Sequence, residues 1–444
     1  YLAERLHGLG QIDGRLLDVA RQRLFDNLAS YAFGTATGEG GLMRSVLDTT
    51  AATPNVPTDM IRYACAVTRH TEVDDIHHES CTTIGSIVIP AAVVAACFRP
   101  LKDTVVENDV LAAVVAGYEA MARLGLAVDG AIRIYQGIWP TYLAAPFATA
   151  AVVARMARYD VDHTAQALAI AASRCVGTTG RMAGALSSRW FAVGCAAAEG
   201  YLAARAAAVD MIGDLAVLEQ AFPRLTGADF DVACFMEEKS GHWFIEDVDA
   251  KSFRSSRQGL AATQAYLRLM EGQSEAAIQS IDVETPEQVR AMVDQPKLPA
   301  NGRSMGVQYQ LALATLDSLG LWDVGQQRAQ DAAELQAVMD KVHVKPSEKL
   351  TALYPKWWGG KVEVRWRDGR VASLEVLDPS GSARVPFGWP ELLEKHQTIA
   401  RAAGGPEPAW LRPLYELSQD FGQTDRNRSA ELLALLPGLE SLAQ

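Results

Sequence analysis

The chain is organised around residues 69–85, Arg69-His-Thr-Glu-Val-Asp-Asp-Ile-His-His-Glu-Ser-Cys-Thr-Thr-Ile-Gly85. Eight of these seventeen residues are acids, imidazoles or a thiol. The flanking runs, 60–67 and 87–97, are almost wholly apolar, and each predicts a buried helix. Because a buried charge must be paired or put to chemical use, the polar stretch predicts either a cluster of structural ion pairs or a functional site inside a helical core.

The composition is that of a globular protein with an acidic balance. Of its 444 residues, 49% are hydrophobic and 21% are charged, and a chain of this length predicts two domains. Lys and Arg number 41 against 53 Asp and Glu, which gives a formal net charge of −12. That balance argues against a nucleic-acid partner, whose binding surface would be basic. It allows a small anionic ligand, because a local group of Arg and Lys can lie inside an acidic surface.

The cysteine pattern and the hydropathy predict a cytoplasmic protein with no membrane partner. No two of the six cysteines form a Cys-x-x-Cys pair, and most lie among apolar residues, which predicts reduced, buried thiols. No uncharged apolar run is long enough to span a membrane, and the opening residues do not form a signal peptide. The cysteines are Cys65, Cys81, Cys97, Cys175, Cys195 and Cys234.

Apolar periodicity predicts helices through the first half of the chain. Apolar residues recur at three- and four-residue steps over residues 3–50, interrupted by a Gly-rich loop at 34–41. Within residues 114–120, Val-Val-Ala-Gly-Tyr-Glu-Ala, small side chains predict a place where two helices approach closely. Further buried helices are predicted at 91–97, 110–128, 144–159, 164–173 and 191–208.

Near residue 245 the pattern changes to one that mixes strands with helices. A charged loop at 245–253 precedes two strand candidates, 278–284 and 342–345. The run 360–376 alternates apolar and polar residues on both sides of Asp368-Gly369, which predicts a β-hairpin. Helices are predicted beside these strands at about 258–272, 303–318, 328–340 and 390–402.

These patterns predict a mainly α fold made of two domains. Residues 1–254 and 406–444 are expected to form a large all-helical domain, and residues 255–405 a smaller α+β domain. The C-terminal part, 406–444, is predicted to be helical and to pack back on the first domain.

Short motifs occur in order along most of the chain. They are the opening helix 16–34, Val73-Asp74-Asp75 followed by Ile87-Val-Ile-Pro90, Gly117-Tyr118-Glu119, Gly137-Ile-Trp-Pro-Thr141, Lys251-Ser-Phe253, Tyr309 with Leu311-Ala312, the Asp368-Gly369 hairpin, Pro386, and Leu392 to Lys395. In this order the motifs resemble the MmgE/PrpD family, which includes 2-methylcitrate dehydratase, cis-aconitate decarboxylase and iminodisuccinate epimerase. The resemblance implies a large all-helical domain with a smaller α+β lid, chemistry without a metal or redox cofactor, and a homodimer.

Three places depart from the family pattern. Thr82-Thr83-Ile84 stands where the family usually has His-Pro, Trp139 replaces the histidine of Gly-x-His-Pro-Thr, and Arg189 replaces the lysine of Lys-Pro-x-His. Two imidazoles and one ammonium of the family site are therefore missing. Trp139 cannot transfer protons, and we expect it to close or reshape a substrate pocket that Thr82 and Thr83 also line.

The chemistry that the resemblance implies needs a base acting on a carbon acid, a proton donor, and cations that hold substrate carboxylates. Glu72, Asp74 and Asp75 supply three carboxylates within four residues, and crowding of like charges raises the pKa of at least one of them. His78, next to His77, can titrate near neutrality and is the candidate replacement for a missing imidazole. The alternative for the acids is an N-cap and salt-bridge cluster that fixes the turn before a buried helix.

Cations and one tyrosine complete the expected site. Arg189 lies on an otherwise apolar helix and is a candidate for binding a substrate carboxylate, as are Arg181 and Arg257. Lys251 keeps the family residue type, and Tyr309 matches a family tyrosine that could hydrogen-bond the substrate. The alternatives are an internal salt bridge for Arg189, a solvated linker charge for Lys251, and core packing for Tyr309.

Two other interpretations of the polar stretch have less chemical support. Zinc binding by Asp75 and the three histidines of residues 70–78 has suitable ligand types but no recognised ligand spacing. A thiolate nucleophile at Cys81 lacks the base and the orienting group that a triad needs. We therefore expect no metal at this stretch, and the family resemblance implies no cofactor.

The sequence thus predicts a cofactor-free lyase or isomerase, of dehydratase type, that removes a proton next to a carboxylate of a small di- or tricarboxylate. Two alternatives stay open. One is an epimerase or a decarboxylase on the same scaffold, because each needs a carbanion-like centre beside a carboxylate. The other is a non-catalytic paralogue that binds carboxylates and has lost the family histidines.

Overall fold

The computed structural model describes residues 1–50, 56–175, 187–220, 222–223, 229–273, 278–298 and 305–439. These residues form two compact units. The helical unit contains the described residues up to 248 and from 408 onward, and the mixed unit contains those of 249–407. The sequence placed the corresponding boundaries at 254/255 and 405/406.

The helical unit consists of helices joined by short connections. Its labelled helices are α1 (Leu2–His7), α2 (Gly14–Thr35), α3 (Gly38–Thr50), α4 (Pro57–His70), α5 (Gly85–Ala95), α6 (Glu107–Ala127), α7 (Gly130–Arg133), α8 (Pro140–Met156), α9 (Val161–Ala172) and α10 (Ser188–Ala207). Shorter helical segments are Leu101–Asp103, Ile134–Gln136, Val217–Gln220, Val232–Met236 and Phe244–Asp247. The C-terminal part adds Leu411–Asp420 and Ser429–Ala434.

Helix starts in this unit follow from the local sequence. Pro57 and Pro140 begin α4 and α8, where proline is tolerated because the first turn does not use that backbone N–H. Asp160 precedes α9, and its carboxylate accepts the backbone N–H of His163 at 2.8 Å. This contact satisfies one of the donors that a helix N-terminus leaves free.

The core of the helical unit is built around α6, α8 and α10. Helix α8 packs on both α6 and α10, and every residue of α5 is buried beside them. Gly117 lies where α6 meets its neighbours. A Cβ atom at that position would lie 2.5 Å from Cγ2 of Val152 and 2.8 Å from Cγ2 of Val88, so only glycine permits this spacing. The close approach predicted at residues 114–120 is confirmed.

Helix α6 is long and apolar enough to cross a membrane by length and composition alone. However, 94% of its most apolar window is buried inside the protein. It also carries a buried ion pair, because Nε of Arg123 lies 2.7 Å from a carboxylate oxygen of Glu119. Its surroundings are therefore those of a core helix.

The Gly-rich loop predicted at residues 34–41 is wrong in extent. Only two residues separate α2 from α3, and the hydroxyl of Thr37 accepts the backbone N–H of Gly40 at 2.9 Å, which starts α3. At Gly34, a Cβ atom would lie 2.6 Å from the carbonyl oxygen of Val67. This glycine is therefore explained by the close packing of α2 on α4, not by a loop.

Residues 408–439 pack within the helical unit through a buried ion pair. The guanidinium of Arg428 contacts both carboxylate oxygens of Glu107, with Nη2 3.0 Å from Oε2. The backbone N–H of Gly422 donates to the same carboxylate at 2.6 Å. Nearby, the rings of Phe25 and Tyr415 meet edge to face at 5.3 Å. A carboxylate at the start of α6 is thus satisfied by residues more than 300 positions later.

The mixed unit contains one four-stranded sheet and helices around it. Its strands are β1 (Ile278–Thr285), β2 (Val342–Pro346), β3 (Gly360–Trp366) and β4 (Val371–Val376), in the order β2-β1-β3-β4. Strand β1 is parallel to β2 and antiparallel to β3, and β3 and β4 form an antiparallel hairpin. The helices are Arg257–Met270, Glu287–Val293, Val307–Leu316, Ala332–Met339, Glu348–Leu353 and Trp389–Ala402, with a 3₁₀ segment at Ser318–Trp322.

Packing of the first helix on the hairpin explains two residues of the mixed unit. Helix Arg257–Met270 packs on β3 and β4, and a Cβ atom at Gly360 would lie 2.8 Å from the backbone nitrogen of Ala262. At the hairpin turn Gly369 has φ 89°, which glycine adopts without strain. The predicted strands and hairpin are confirmed, and so is the predicted fold class, mainly α with a smaller α+β part.

Candidate functional site

The polar stretch forms a buried loop between α4 and α5. Its backbone enters the left-handed region at two non-glycine residues, Glu72 with φ 58° and Cys81 with φ 54°. Between them, the N–H of His77 donates to the carbonyl of Thr82 at 2.9 Å, and the N–H of Thr82 donates back at 3.2 Å. Left-handed backbone is uncommon outside glycine and is concentrated at functional sites. The loop therefore holds its side chains in one fixed arrangement.

One guanidinium links two of the three adjacent carboxylates at residues 72–75. Nη1 of Arg69 lies 3.1 Å from Oε2 of Glu72 and 3.4 Å from Oδ1 of Asp74. All three side chains are buried. Burial lowers the pKa of the Arg69 guanidinium, but the carboxylates of Asp74 and Glu72 outweigh burial and leave that pKa above its ordinary value. Arg69 therefore stays charged and keeps two carboxylates side by side inside the protein.

Asp75, the third carboxylate, is engaged with the surrounding helices. It accepts the N–H of Gly85 at 2.7 Å and the Nδ2 amide of Asn27 at 3.2 Å, and it also accepts the hydroxyl of Tyr118. Burial raises the pKa of Asp75, while the guanidinium of Arg23 and these hydrogen bonds oppose the rise. The geometry of Asp75 is that of an anchor at the start of α5, which is the structural alternative weighed for these acids.

The two adjacent imidazoles lie nearly parallel within the loop. The rings of His77 and His78 are 6.4 Å apart with 24° between their planes, and both side chains are buried. Nδ1 of His77 accepts the backbone N–H of Ser80 at 3.2 Å. A ring nitrogen that accepts carries no proton, so this contact assigns the proton of the neutral ring to Nε2.

The two threonines that stand in place of the family His-Pro are engaged in local hydrogen bonds. The hydroxyl of Thr82 lies 2.5 Å from that of Ser80. The backbone N–H of Thr83 donates to the hydroxyl of Thr141 at 2.9 Å, and the two threonine hydroxyls are 3.0 Å apart. These contacts hold the end of the loop against the first turn of α8.

Aromatic rings and a second guanidinium lie beside Arg69. The Cζ atom of Arg69 is 5.3 Å and that of Arg189 is 4.2 Å from the centroid of the Trp190 ring. The Cζ atom of Arg189 is also 5.5 Å from the centroid of Trp139. Both guanidinium groups thus meet the same indole, which attracts cations through its ring face. The structure brings Arg189 and Trp139 together with the loop that carries Glu72 and Asp74.

Tyr142 joins these groups into one cluster. Its ring is 5.6 Å from that of Trp139, and its side chain is buried. Burial raises the pKa of the Tyr142 phenol to about 12, the guanidinium groups of Arg69 and Arg189 oppose the rise, and nearby carboxylates add to it. We call Arg69, Glu72, Asp74, Trp139, Tyr142, Arg189 and Trp190 the carboxylate–aromatic cluster.

Sequence reasoning missed three members of this cluster. The sequence predicts no functional role for Arg69, Tyr142 or Trp190. One signal was available for Arg69, because it lies one helical turn before Glu72 and such pairs commonly form salt bridges. The contact of Tyr142 with Trp139 lies within one helical turn, whereas Trp190 comes from α10 and has no local signal.

In the mixed unit, Lys251 and Arg257 are both buried. The charged loop at 245–253 is therefore not a solvated linker at Lys251. Nε of Arg257 lies 2.6 Å from Oδ2 of Asp249, and its Nη1 donates to the carbonyl of Trp358 at 3.2 Å. Arg257 thus has a buried carboxylate partner inside its own unit.

Tyr309 lines a cavity of about 320 Å³ in the mixed unit. Arg254, Gln310 and Arg328 are among the other lining residues. Tyr309 is also a member of the core of this unit, in contact with a cluster that includes Leu313. Tyr309 therefore packs in the core, which is one of the two alternatives, and also lines a cavity; its hydrogen bond to substrate stays a prediction.

Three candidates from the sequence receive no support from the described structure. Arg181 lies outside the described residues. Across the ranges that the structure describes, no group of three or more His, Cys, Asp or Glu side chains is arranged to hold a metal ion, and this includes His70, His77, His78 and Asp75. Cys81 is buried and forms no disulfide with the other described cysteines.

Comparison with known families gives two matches. A model described as the MmgE/PrpD N-terminal domain matches residues 7–225, and a model described as the MmgE/PrpD C-terminal domain matches residues 253–411. Together they cover most of the chain. No curated protein matches the chain.

Proposed function

The chain belongs to the MmgE/PrpD family, whose members are typically lyases or isomerases, and we propose that it removes a proton next to a carboxylate of a small di- or tricarboxylate. We propose dehydratase-type elimination as the reaction, with epimerisation and decarboxylation as alternatives that share its first step. The proposal includes no metal or cofactor. It also includes a cytoplasmic location, for which the cysteine pattern is the support, and a homodimer, which the family resemblance implies.

The observation that carries this proposal is the pair of carboxylates held by Arg69. Glu72 and Asp74 are buried within 3.1 and 3.4 Å of one guanidinium. A carboxylate placed beside carbon can take its proton as a general base, and the guanidinium next to it compensates its charge. Proton abstraction from a weak carbon acid requires a base and a compensating cation in a site from which water is excluded.

The second requirement is a cation for the substrate, and Arg189 supports it. Its guanidinium lies over two indole rings instead of deep in the core, and its side chain is partly exposed. A guanidinium binds a carboxylate through two parallel hydrogen bonds, worth about 1.5–3 kcal/mol for a charged pair. Arg189 is therefore proposed to bind the substrate carboxylate next to the reacting carbon.

In the proposed step, the carboxylate of Glu72 or Asp74 takes the proton from carbon. The electron pair of the C–H bond forms a C=C bond to the carboxylate carbon, which gives an enediolate. Collapse of the enediolate expels a hydroxyl group from the next carbon, and a proton from His78 turns it into water. Return of a proton to the other face would give epimerisation instead.

The remaining candidates keep narrower proposed roles. Thr82, Thr83 and Trp139 shape the substrate pocket, and Asp75 fixes the loop through its contacts with Gly85 and Tyr118. For the second unit, the roles proposed from the family resemblance are proton donation at Lys251, carboxylate binding at Arg257 and hydrogen bonding at Tyr309.

Hydrogen exchange into substrate tests this function. A panel of di- and tricarboxylates is incubated with the protein in heavy water, and deuterium at carbon is measured by mass spectrometry. We expect Glu72→Gln and Asp74→Asn to abolish exchange. His78→Ala should abolish the loss of water, read from the same mass spectra, while exchange continues, because His78 acts after the proton has left carbon. Glu79→Gln is the matched control, because Glu79 is in the same loop but partly exposed and has no proposed role.

Two results would contradict the proposal. Exchange that continues in both carboxylate variants would overturn the assignment of the base, and loss of water that continues in His78→Ala would overturn the assignment of the acid. A wild-type protein that is stabilised against heat by a polycarboxylate, yet exchanges no hydrogen, would be a binding paralogue without catalysis. The replacement of a family histidine by Trp139 makes this second outcome worth measuring directly.

A further inference from the structure

Trp139 and Tyr142 carry two hydrogen-bond donors that the described part of the chain leaves unused. Nε1 of Trp139 and the hydroxyl of Tyr142 are both fully buried, and neither has a hydrogen-bond partner among the described residues. The two side chains are 6% and 3% exposed, and their rings are 5.6 Å apart. A buried polar atom without a partner costs free energy, so two of them side by side indicate a place where a bound molecule supplies the acceptor.

Local structure explains why these donors lie together. Trp139 is the residue before the first turn of α8, Pro140 begins that turn, and Tyr142 lies two residues further on. The backbone N–H groups of Tyr142 and Leu143 both donate to the carbonyl of Trp139, which fixes the turn. The two rings are therefore positioned by one helix start and do not depend on a flexible loop.

Both groups can donate but are poor acceptors of a proton at neutral pH. An indole N–H only donates. The Tyr142 phenol keeps its proton, because burial raises its pKa to about 12. The guanidinium of Arg189, 5.5 Å from the Trp139 ring, adds positive charge to the same place. Two donors and a cation together favour an oxygen that carries negative charge.

We propose that the indole N–H of Trp139 and the hydroxyl of Tyr142 form an oxyanion site for one carboxylate oxygen of the substrate. This inference rests on the proposed function and assigns the stabilising groups of its first step. As the proton passes from carbon to Glu72 or Asp74, the C–H electron pair becomes the C=C bond of the enediolate. The substrate carboxylate then gains a second formal negative charge on its oxygens. Donors already in position stabilise that charge more than the ground state.

The oxyanion site gives the tryptophan a chemical role. Trp139 stands where the family has a histidine, and an indole cannot shuttle protons. It can, however, donate a hydrogen bond without titrating. The replacement therefore separates two functions, because proton transfer stays with the loop of residues 72–78 while Trp139 and Tyr142 stabilise charge.

Tyr142→Phe and Trp139→Phe test the oxyanion site. Loss of one such donor lowers the rate of the chemical step by about 10²–10³-fold. We expect each variant to slow deuterium exchange by that factor while the Kd for the same polycarboxylate changes less than tenfold. The melting temperature of Tyr142→Phe should equal or exceed that of the wild type, because the lost hydroxyl has no partner in the described protein. Tyr201→Phe is the control and should exchange at the wild-type rate.

Each other outcome has a definite meaning. Wild-type exchange rates in both variants would overturn the oxyanion site and leave the proposed function intact. A lower melting temperature of Tyr142→Phe together with slow exchange would assign the hydroxyl a structural role and overturn the inference. Absence of exchange in the wild type would instead overturn the proposed function itself.

Discussion

Asp75 accepts a hydrogen bond from the hydroxyl of Tyr118, which lies 43 residues further along the chain in the middle of α6. Asp75 also accepts the N–H of Gly85, the first residue of α5. One carboxylate thus joins the loop to two core helices. Glu119, which follows Tyr118 in α6, is as buried as Tyr118. Its carboxylate accepts hydrogen bonds from the guanidinium groups of Arg5 and Arg123 at 2.6 and 2.7 Å. The Gly-Tyr-Glu motif therefore acts as an anchor for the site.

Removal of the Tyr118 hydroxyl should destabilise the helical unit. Tyr118→Phe leaves the buried carboxylate of Asp75 with one donor fewer, and an unsatisfied buried group of this kind costs about 1–3 kcal/mol. The free energy of unfolding, measured with urea, should fall by that amount. Tyr201→Phe serves as the control, because its hydroxyl makes no hydrogen bond to the described residues; an equal loss in both variants would contradict the expectation.

Titration of Asp75 should make stability depend on pH in a stated direction. Burial raises the pKa of Asp75 in the folded protein above its ordinary 3.8. The folded state therefore binds this proton more tightly, and the stabilisation is fully present below the ordinary value. It is lost as the pH rises through the raised pKa.

Asp75→Asn removes this titration. The free energy of unfolding of the wild type minus that of the variant, measured at several pH values between 4 and 8, should decrease as the pH rises. A difference that grows with pH would show that the folded pKa is lowered, which is the opposite sign.

Removal of Arg69 should destabilise the helical unit, because Glu72 and Asp74 are buried next to its guanidinium. Arg69→Ala leaves Glu72 and Asp74 without their shared cation, and breaking a buried pair in this way costs about 3–5 kcal/mol. Arg290→Ala is the matched control, because Arg290 and Glu287 have the same spacing in sequence and a 3.0 Å contact but are exposed. We expect that control to lose less than about 1 kcal/mol in urea unfolding. An equal loss of unfolding free energy in Arg69→Ala and Arg290→Ala would show that burial does not set the contribution of the ion pair to stability.

Gly117 of α6 should not tolerate a side chain. Gly117→Ala places a Cβ atom 2.5 Å from Val152, and overpacking of this kind costs about 1–3 kcal/mol. Gly41→Ala in α3 is the contrast, because no atom lies within 4 Å of a Cβ there and alanine favours helix by up to about 1 kcal/mol. Thermal unfolding should therefore move in opposite directions in the two variants. A shift of the same sign in both would contradict the packing argument.

The cysteines should differ in reactivity toward iodoacetamide in the native protein. Burial raises the pKa of the Cys97 and Cys175 thiols to about 12, which removes the reactive thiolate at neutral pH. Cys195 and Cys234 are only partly buried. Peptide mass spectrometry should find Cys195 and Cys234 alkylated first, and all six cysteines alkylated in denaturant. Early labelling of Cys97 or Cys175 would contradict this order.

The fold could be predicted from periodicity because each part carries a strong local signal. Continuous apolar runs gave α5, α6, α8 and α10, and strict alternation around Asp368-Gly369 gave the hairpin. The error at residues 34–41 arose because glycine has two uses. At Gly34 it allows two helices to touch, and the sequence alone does not distinguish that use from a loop.

The candidate site was predictable only in part. Charged residues between two apolar runs indicated the position of the site. The partner of each charged side chain, however, depends on tertiary contacts. Asp74 and Asp75 are neighbours in sequence, yet one faces Arg69 and the other faces Tyr118. No periodicity separates them. The meeting of Arg69 and Arg189 over Trp190 likewise joins α4 to α10 and has no local signal.

The ion pair between Glu107 and Arg428 has a consequence for the order of synthesis. Glu107 is fully buried, and its cation lies 321 residues later. A growing chain therefore carries this carboxylate without its partner until the whole mixed unit has left the ribosome. The helical unit can complete its folding only after translation has reached residue 428. A chain that stops before residue 428 keeps Glu107 in its core without the guanidinium of Arg428.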